Sequence, residues 1–266
     1  MRLKRIVMLA AGLSALTACE SDETVAPSVP PVGQVRFINA IADTLAVDVR
    51  AIDQVEYSPV VGELAFRRGT NYQPVEAKSR QFRVFASSRN IGVTSVPLFD
   101  ATVNIAANSR VTLLLVGSAR NKSSLQLIQI NDDASAPPAG MIAVRVVNAA
   151  TGAINGFLVN AVADPVAGTP TAANVAALAQ SAYVTRTAGA VAIRVTEGAG
   201  SVTPTSSVAG PTAAAAVTGA LPAAGVNSAG TKFSVYYFPR GVAGSNNNAL
   251  ATPAAVWFVD RNPADL

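Results

Sequence analysis

The chain has 266 residues, half of them hydrophobic, with 20 basic and 16 acidic side chains and a formal net charge of +4. It has no histidine and a single cysteine, Cys19. Ser-His-Asp and Cys-His nucleophile systems are therefore excluded, as are zinc sites built on His or several Cys, and with no internal disulfide the fold must rest on its apolar core.

The chain opens with MRLKR, whose Arg2, Lys4 and Arg5 form a basic patch. The uncharged run from Ile6 to Leu16 follows. As a helix it spans roughly 16 Å, about half the hydrocarbon core of a bilayer. This pattern reads as a secretory signal helix rather than a membrane span. Leu16-Thr17-Ala18-Cys19 resembles a bacterial lipobox. The resemblance implies cleavage after residue 18 and attachment of diacylglycerol to the Cys19 sulfur as a thioether. An ordinary signal peptide with a chance cysteine is the alternative. One acyl chain anchors weakly, at about 0.8 kcal/mol per buried methylene, whereas two or three on one residue hold a protein at a membrane. Without the three basic residues of the signal the chain carries 17 basic against 16 acidic groups, so its charge gives no support for a nucleic-acid partner.

Residues 19–34 hold Glu20, Asp22, Glu23 and three prolines with little to bury, and are expected to form a lipidated, disordered tether. In enteric bacteria an aspartate directly after the lipidated cysteine favours the inner membrane. Glu20 stands there, and the expected location is the cell envelope, at the outer membrane rather than the inner.

Beyond the tether the sequence repeats. VRFINA at 35–40 returns as VRVVNA at 144–149, and YQPVEAKSRQFRV at 72–84 faces YVTRTAGAVAIRV at 183–195. RVTLL at 110–114 faces KFSVY at 232–236, and LIQIND at 127–132 faces WFVDRN at 257–262 one residue out of step. Two modules follow, 35–138 and 141–266, joined at Ala136-Pro137-Pro138-Ala139-Gly140. Leu45, Val47, Val49 and Ala51 alternate with polar residues, as do Phe99, Ala101, Val103 and Ile105, which marks half-buried strands. The expected fold is all-β, two tandem immunoglobulin-like or Greek-key β-sandwiches. Outside the signal, a helix is considered only at Ala172–Gln180. The low-complexity stretch 198–225 is expected to be a long loop or a poorly packed edge.

The order VRFINAIADTLAVDVRA, QFRVFA, ATVNIAANSRVTLLLVG and LQLIQINDD resembles the domain of unknown function 4397. Val35, Arg36, Asn39, Ala40, Asp43, Ala46, Val47, Asp48 and Val49 carry its opening motif. The second copy keeps Val144 to Ala149, then loses the VDV, and resembles the family only loosely. The resemblance implies an exported bacterial β-sandwich, often in tandem, and passes on no catalytic residue.

Several groups are candidate sites. Asp43, Asp48 and Asp53 could form a calcium loop or a carboxylate pair, but lack the D-x-D-x-D-G spacing. Asp132-Asp133 could hold an ion or be a solvated strand end. Arg67, Arg68, Lys78, Arg80, Arg83 and Arg89 could meet anionic headgroups or acidic polysaccharide, or form an ordinary outward face. Tyr236, Tyr237, Phe238 and Trp257 could stack on sugars or fill the core. The acids, Asp260 among them, are expected on outward positions or in turns, with no two sharing a buried cleft within a module. The sequence therefore reads as a non-enzymatic, membrane-anchored envelope lipoprotein with no cofactor and no metal. Its role is structural, adhesive or binding, and its partners are the membrane through Cys19 and an envelope polysaccharide or protein. Two alternatives are a glycan-binding accessory lipoprotein and a carboxylate-based hydrolase.

Overall fold

The alternating segments become sixteen strands and one short helix among the described residues of a computed structural model, which are 29–53, 60–198, 200–213 and 224–263. Cys19 and the signal lie outside them. The chain divides into two units, Met1–Pro31 and Val32–Leu266, and every element below belongs to the second. The first copy contributes β1 (Val32–Asn39), β2 (Ala46–Ala51), β3 (Val61–Ala65), β4 (Gln73–Glu76), β5 (Ser79–Ala86), α1 (Ile91–Thr94), β6 (Pro97–Asn104), β7 (Arg110–Ser118) and β8 (Asn121–Asn131). The second contributes β9 (Met141–Asn148), β10 (Ile154–Val159), β11 (Ala172–Val175), β12 (Val184–Thr187), β13 (Ala192–Glu197), β14 (Ser206–Ala209), β15 (Lys232–Phe238) and β16 (Ala254–Arg261). β1 starts at Val32, inside the segment expected to be tether, because Val32 to Val35 pair with β4.

The two copies have one topology. Sheets β4-β1-β7-β8 and β3-β2-β5-β6 make the first sandwich, and β12-β9-β15-β16 and β11-β10-β13-β14 repeat it. β1 runs parallel to β7, and β9 parallel to β15. Val35, Phe37, Leu113 and Leu115 meet Val47, Val49, Phe82 and Val84 in the first core. Val144, Val146, Phe233 and Val235 meet Ile154, Ile193 and Val195 in the second.

A third apolar layer joins the sandwiches. The opposite faces of β1 and β7, with Ile38, Leu114 and Val116, pack with Val147 of β9 and with Tyr236 and Phe238 of β15. β7 and β15 are thus covered on both faces, which is why RVTLLLVG and KFSVYYF read as continuous apolar runs.

Two expectations change. Ala172–Gln180 holds β11 and a turn, not a helix. Alanine's helical preference yields to pairing with β10 and to burial of Ala172 and Val175. The ladder also equates Ile130 with Phe258 through Thr112 and Ser234, so Asp132 corresponds to Asp260 and the last repeat is two residues out of step, not one. Within 198–225, β14 forms an edge strand against β13. Residues 214–223 lie outside the described set.

Candidate functional site at the module junction

The VRxxNA motif explains itself in place. Its valine enters the sandwich core. Its asparagine pins the chain beyond the strand: Asn39 donates to Leu64 O (2.9 Å) and accepts from Ile41 N (2.9 Å), while Asn148 donates to Val175 O (2.9 Å) and accepts from Ala150 N (2.9 Å). Its arginine points the other way, into the junction, where Arg36 and Arg145 are 2% and 3% exposed.

Each arginine pairs with the other copy's aspartate, Arg36 with Asp260 and Arg145 with Asp132. The second oxygens are held at home. Thr112 Oγ1 (2.6 Å) and Tyr72 OH (2.7 Å) donate to Asp132 Oδ2, and Ser234 Oγ (2.5 Å) and Tyr183 OH (2.6 Å) donate to Asp260 Oδ2. Arg36 Nε donates to Thr112 Oγ1 and Arg145 Nε to Ser234 Oγ, both at 2.6 Å. Arg36 lies 4.7 Å from the Tyr72 ring centre, and Arg145 4.7 Å from that of Tyr183. The arrangement is reciprocal, like a two-fold interface between identical subunits.

Burial alone would lower the pKa of these arginines. Asp260, followed by nearby tyrosines, outweighs that cost and holds Arg36 well above the ordinary arginine value, and Arg145 is raised in the same way. Burial pushes the Tyr72 and Tyr183 hydroxyls far up, so both remain donors. Tyr236 is pushed up to about 12 by burial, and its hydroxyl has no partner among the described residues.

The acids expected on outward positions therefore divide. Asp132 and Asp260 are buried, 7% and 1% exposed, which corrects the reading of Asp132 as a solvated strand end. They come from different copies, and Arg145 reaches both, with Nε 3.9 Å from Asp260 Oδ2. Asp133 is exposed and pairs with Lys232 at 2.6 Å. Asp43 lies in its expected turn but is buried; it accepts from Ser118 Oγ (2.6 Å) and from the amides of Ala119 (2.7 Å) and Arg120 (2.9 Å), closing the β7–β8 hairpin. Burial pushes its carboxyl up, and these donors together hold it below the ordinary value. Asp48 accepts from Glu63 N at 2.8 Å, and Asp53 pairs with Arg80 at 3.0 Å. The three do not form a shared site.

The basic residues do not form a shared face either. Arg80 is buried between Asp53 and Glu76, and Arg83 forks onto Asp100 with two 2.8 Å bonds. Arg67 crosses the junction to Pro239 O (2.7 Å) and Thr252 O (2.5 Å). Lys78 pairs with Glu76, whereas Arg68 and Arg89 are exposed. The aromatic strip is absent as well: Tyr236, Tyr237 and Phe238 are buried.

Trp257 is half-buried and packs edge-on to Phe233 at 5.6 Å. It lines a cavity of about 710 Å³ beside the Arg36–Asp260 pair, between Gln34, Gly69–Tyr72 and Arg110 of the first copy and Trp257–Asp260 and Asn262 of the second. Its indole N–H is shielded and has no acceptor among the described residues.

Residues 33–155 match the family profile described as domain of unknown function (DUF4397). This segment resembles a DUF4397 domain. It takes in β1 to β9 and reaches β10, so the motif arginine and asparagine of both copies fall within it. A search of curated proteins gives no match. Among solved structures, similarity extends to a streptococcal virulence factor described by its α-glucan binding, at 13% identity and TM-score 0.22, over 65% of this chain and 84% of that one. It extends also to family 41 carbohydrate-binding modules from streptococcal virulence factors, at 10% identity and TM-score 0.20, over 65% and 85%. Scores this low carry no argument about this chain. The sequence did contain a signal for the clamp: an arginine in an otherwise apolar strand, a hydroxyl residue in the facing strand and a tyrosine before β4 or β12, each present twice.

Proposed function

We propose that the protein is a non-enzymatic lipoprotein of the bacterial cell envelope. Its DUF4397 domain and the second copy form one rigid element, structural, adhesive or binding, held at the outer membrane through lipid on Cys19. The reciprocal clamp supports this reading most directly. A hydrolase needs a carboxyl group free to exchange protons. Here both oxygens of Asp132 and of Asp260 already accept from arginine, tyrosine or hydroxyl donors, so the most buried carboxylates join modules. Anchoring rests on LTAC and the acidic, proline-rich segment after it.

The test is Cys19→Ser. In cells fed a labelled fatty acid, the wild-type chain should carry label and sediment with membranes, and the variant should lose both properties. A variant that stays with the membrane without lipid would overturn the anchoring.

A further inference from the structure

The two copies make two corresponding notches, one on each side of the clamp, but they have not kept the same lining. The strand registers and the paired bridges Ile38–Gly69 and Val147–Gln180 fix the equivalences. Structural positions are preserved in kind: Arg36 and Arg145, Thr70 and Ser181, Tyr72 and Tyr183, Arg110 and Lys232, Asp260 and Asp132. The cavity positions are not. Gln34 and Asn71 face Ala143 and Ala182 in the sister notch, and Trp257 faces Gln129.

The deciding difference is Gly69. Its counterpart Gln180 carries a side chain that accepts from Arg145 Nη1 at 2.6 Å. At Gly69 even a Cβ would stand 2.7 Å from a ring carbon of Phe258 and 3.0 Å from Ile38. No side chain enters the first notch from this position, and among the described residues the amides of Gln34 and Asn71 line it together with Trp257 and Phe258. At about 710 Å³ it has the size of sites that hold drug-sized molecules, not single ions.

The chemistry of the lining selects the ligand. The Gln34 and Asn71 amides each carry a donor and an acceptor, as a sugar hydroxyl requires. Trp257 and Phe258 supply apolar wall for the C–H faces of a sugar ring, whereas the Tyr72 ring already carries Arg36 and Arg110, each at 4.7 Å. The Arg36–Asp260 charges cancel. We propose that this cavity binds a short oligosaccharide. The site is independent of the membrane-anchoring reading, because every group in it belongs to the folded body.

Trp257 is the chain's only tryptophan, so its emission reports on the cavity directly. Detergent-solubilised full-length protein would be titrated with hexasaccharides of glucose, N-acetylglucosamine and galacturonate. The expected result is a saturable emission change with at least one of them. The Gln34→Ala/Asn71→Ala double variant carries the sister notch's alanines. It should lose at least tenfold in affinity by calorimetry, with an unchanged melting temperature. No response from the folded protein, equal affinity in the double variant, or a response only to a tetra-alanine peptide would each overturn the proposal. A failure of Cys19→Ser to release the chain from membranes would leave this result untouched.

Discussion

Arg36 and Arg145 sit where a strand covered on both faces would ordinarily carry valine. Removing one partner of a buried pair leaves the other charge uncompensated, which costs about 3–5 kcal/mol. Arg36→Met should therefore lower stability by that amount and the melting temperature by on the order of 10 °C, read by calorimetry. Arg36→Met combined with Asp260→Leu should recover a large part of the loss, since no orphaned charge remains. A cost below about 1 kcal/mol for the single variant would place it among ordinary surface changes and refute the clamp. The neighbouring pair has a different pH signature. Lys232, with help from the Ser135 amide, holds Asp133 at about 2, below the ordinary 3.8. A depressed carboxylate stabilises the fold above its unfolded value, and the contribution fades as pH falls from near 3.8 through about 2. Between pH 7 and pH 2 the urea midpoint of the wild type should thus fall further than that of Lys232→Met.

At the scale of elements, the sequence was legible where one face of a strand is wet. Val47 and Val49 against Asp48 and Arg50 announced β2 because period-two alternation is the imprint of a half-buried surface. It was less legible where pairing overrides local preference, as at the alanine-rich β11. The clamp was the hardest to see, because Asp132 and Asp260 follow or end strands and look like solvated tips until the partner sheet covers them. The cavity left no local pattern at all, since its residues come from separate segments of both copies. The β7–β8 hairpin offers a test of its own. Gly117 has φ +108, and a Cβ there would run into the Ser124 carbonyl. Gly117→Ala should cost more than about 1 kcal/mol by urea unfolding, because it combines strain with a clash in a ladder Asp43 closes. An unchanged midpoint would mean that the hairpin is not held as described.

For the whole molecule, each copy carries one arginine and one aspartate of the clamp on the same self-complementary face. A fragment of residues 32–138 holds Arg36, Asp132 and the apolar surface of Ile38, Leu114 and Val116, all that a reciprocal pairing needs. We expect this fragment to be β-rich by circular dichroism and to form a dimer by sedimentation, and we expect Arg36→Met to make it monomeric. A fragment that stays monomeric at high concentration would show that the second copy supplies something the first cannot. The two-copy chain then amounts to a dimer whose subunits were joined end to end, and correct assembly becomes a race. The first copy leaves the ribosome before the second exists, with its adhesive face bare and able to clasp the same face of a neighbouring chain. The short joint from Ala136 to Gly140 tilts the outcome, because it keeps the proper partner at a local concentration that free chains do not reach. Lengthening that joint would hand the advantage to strangers.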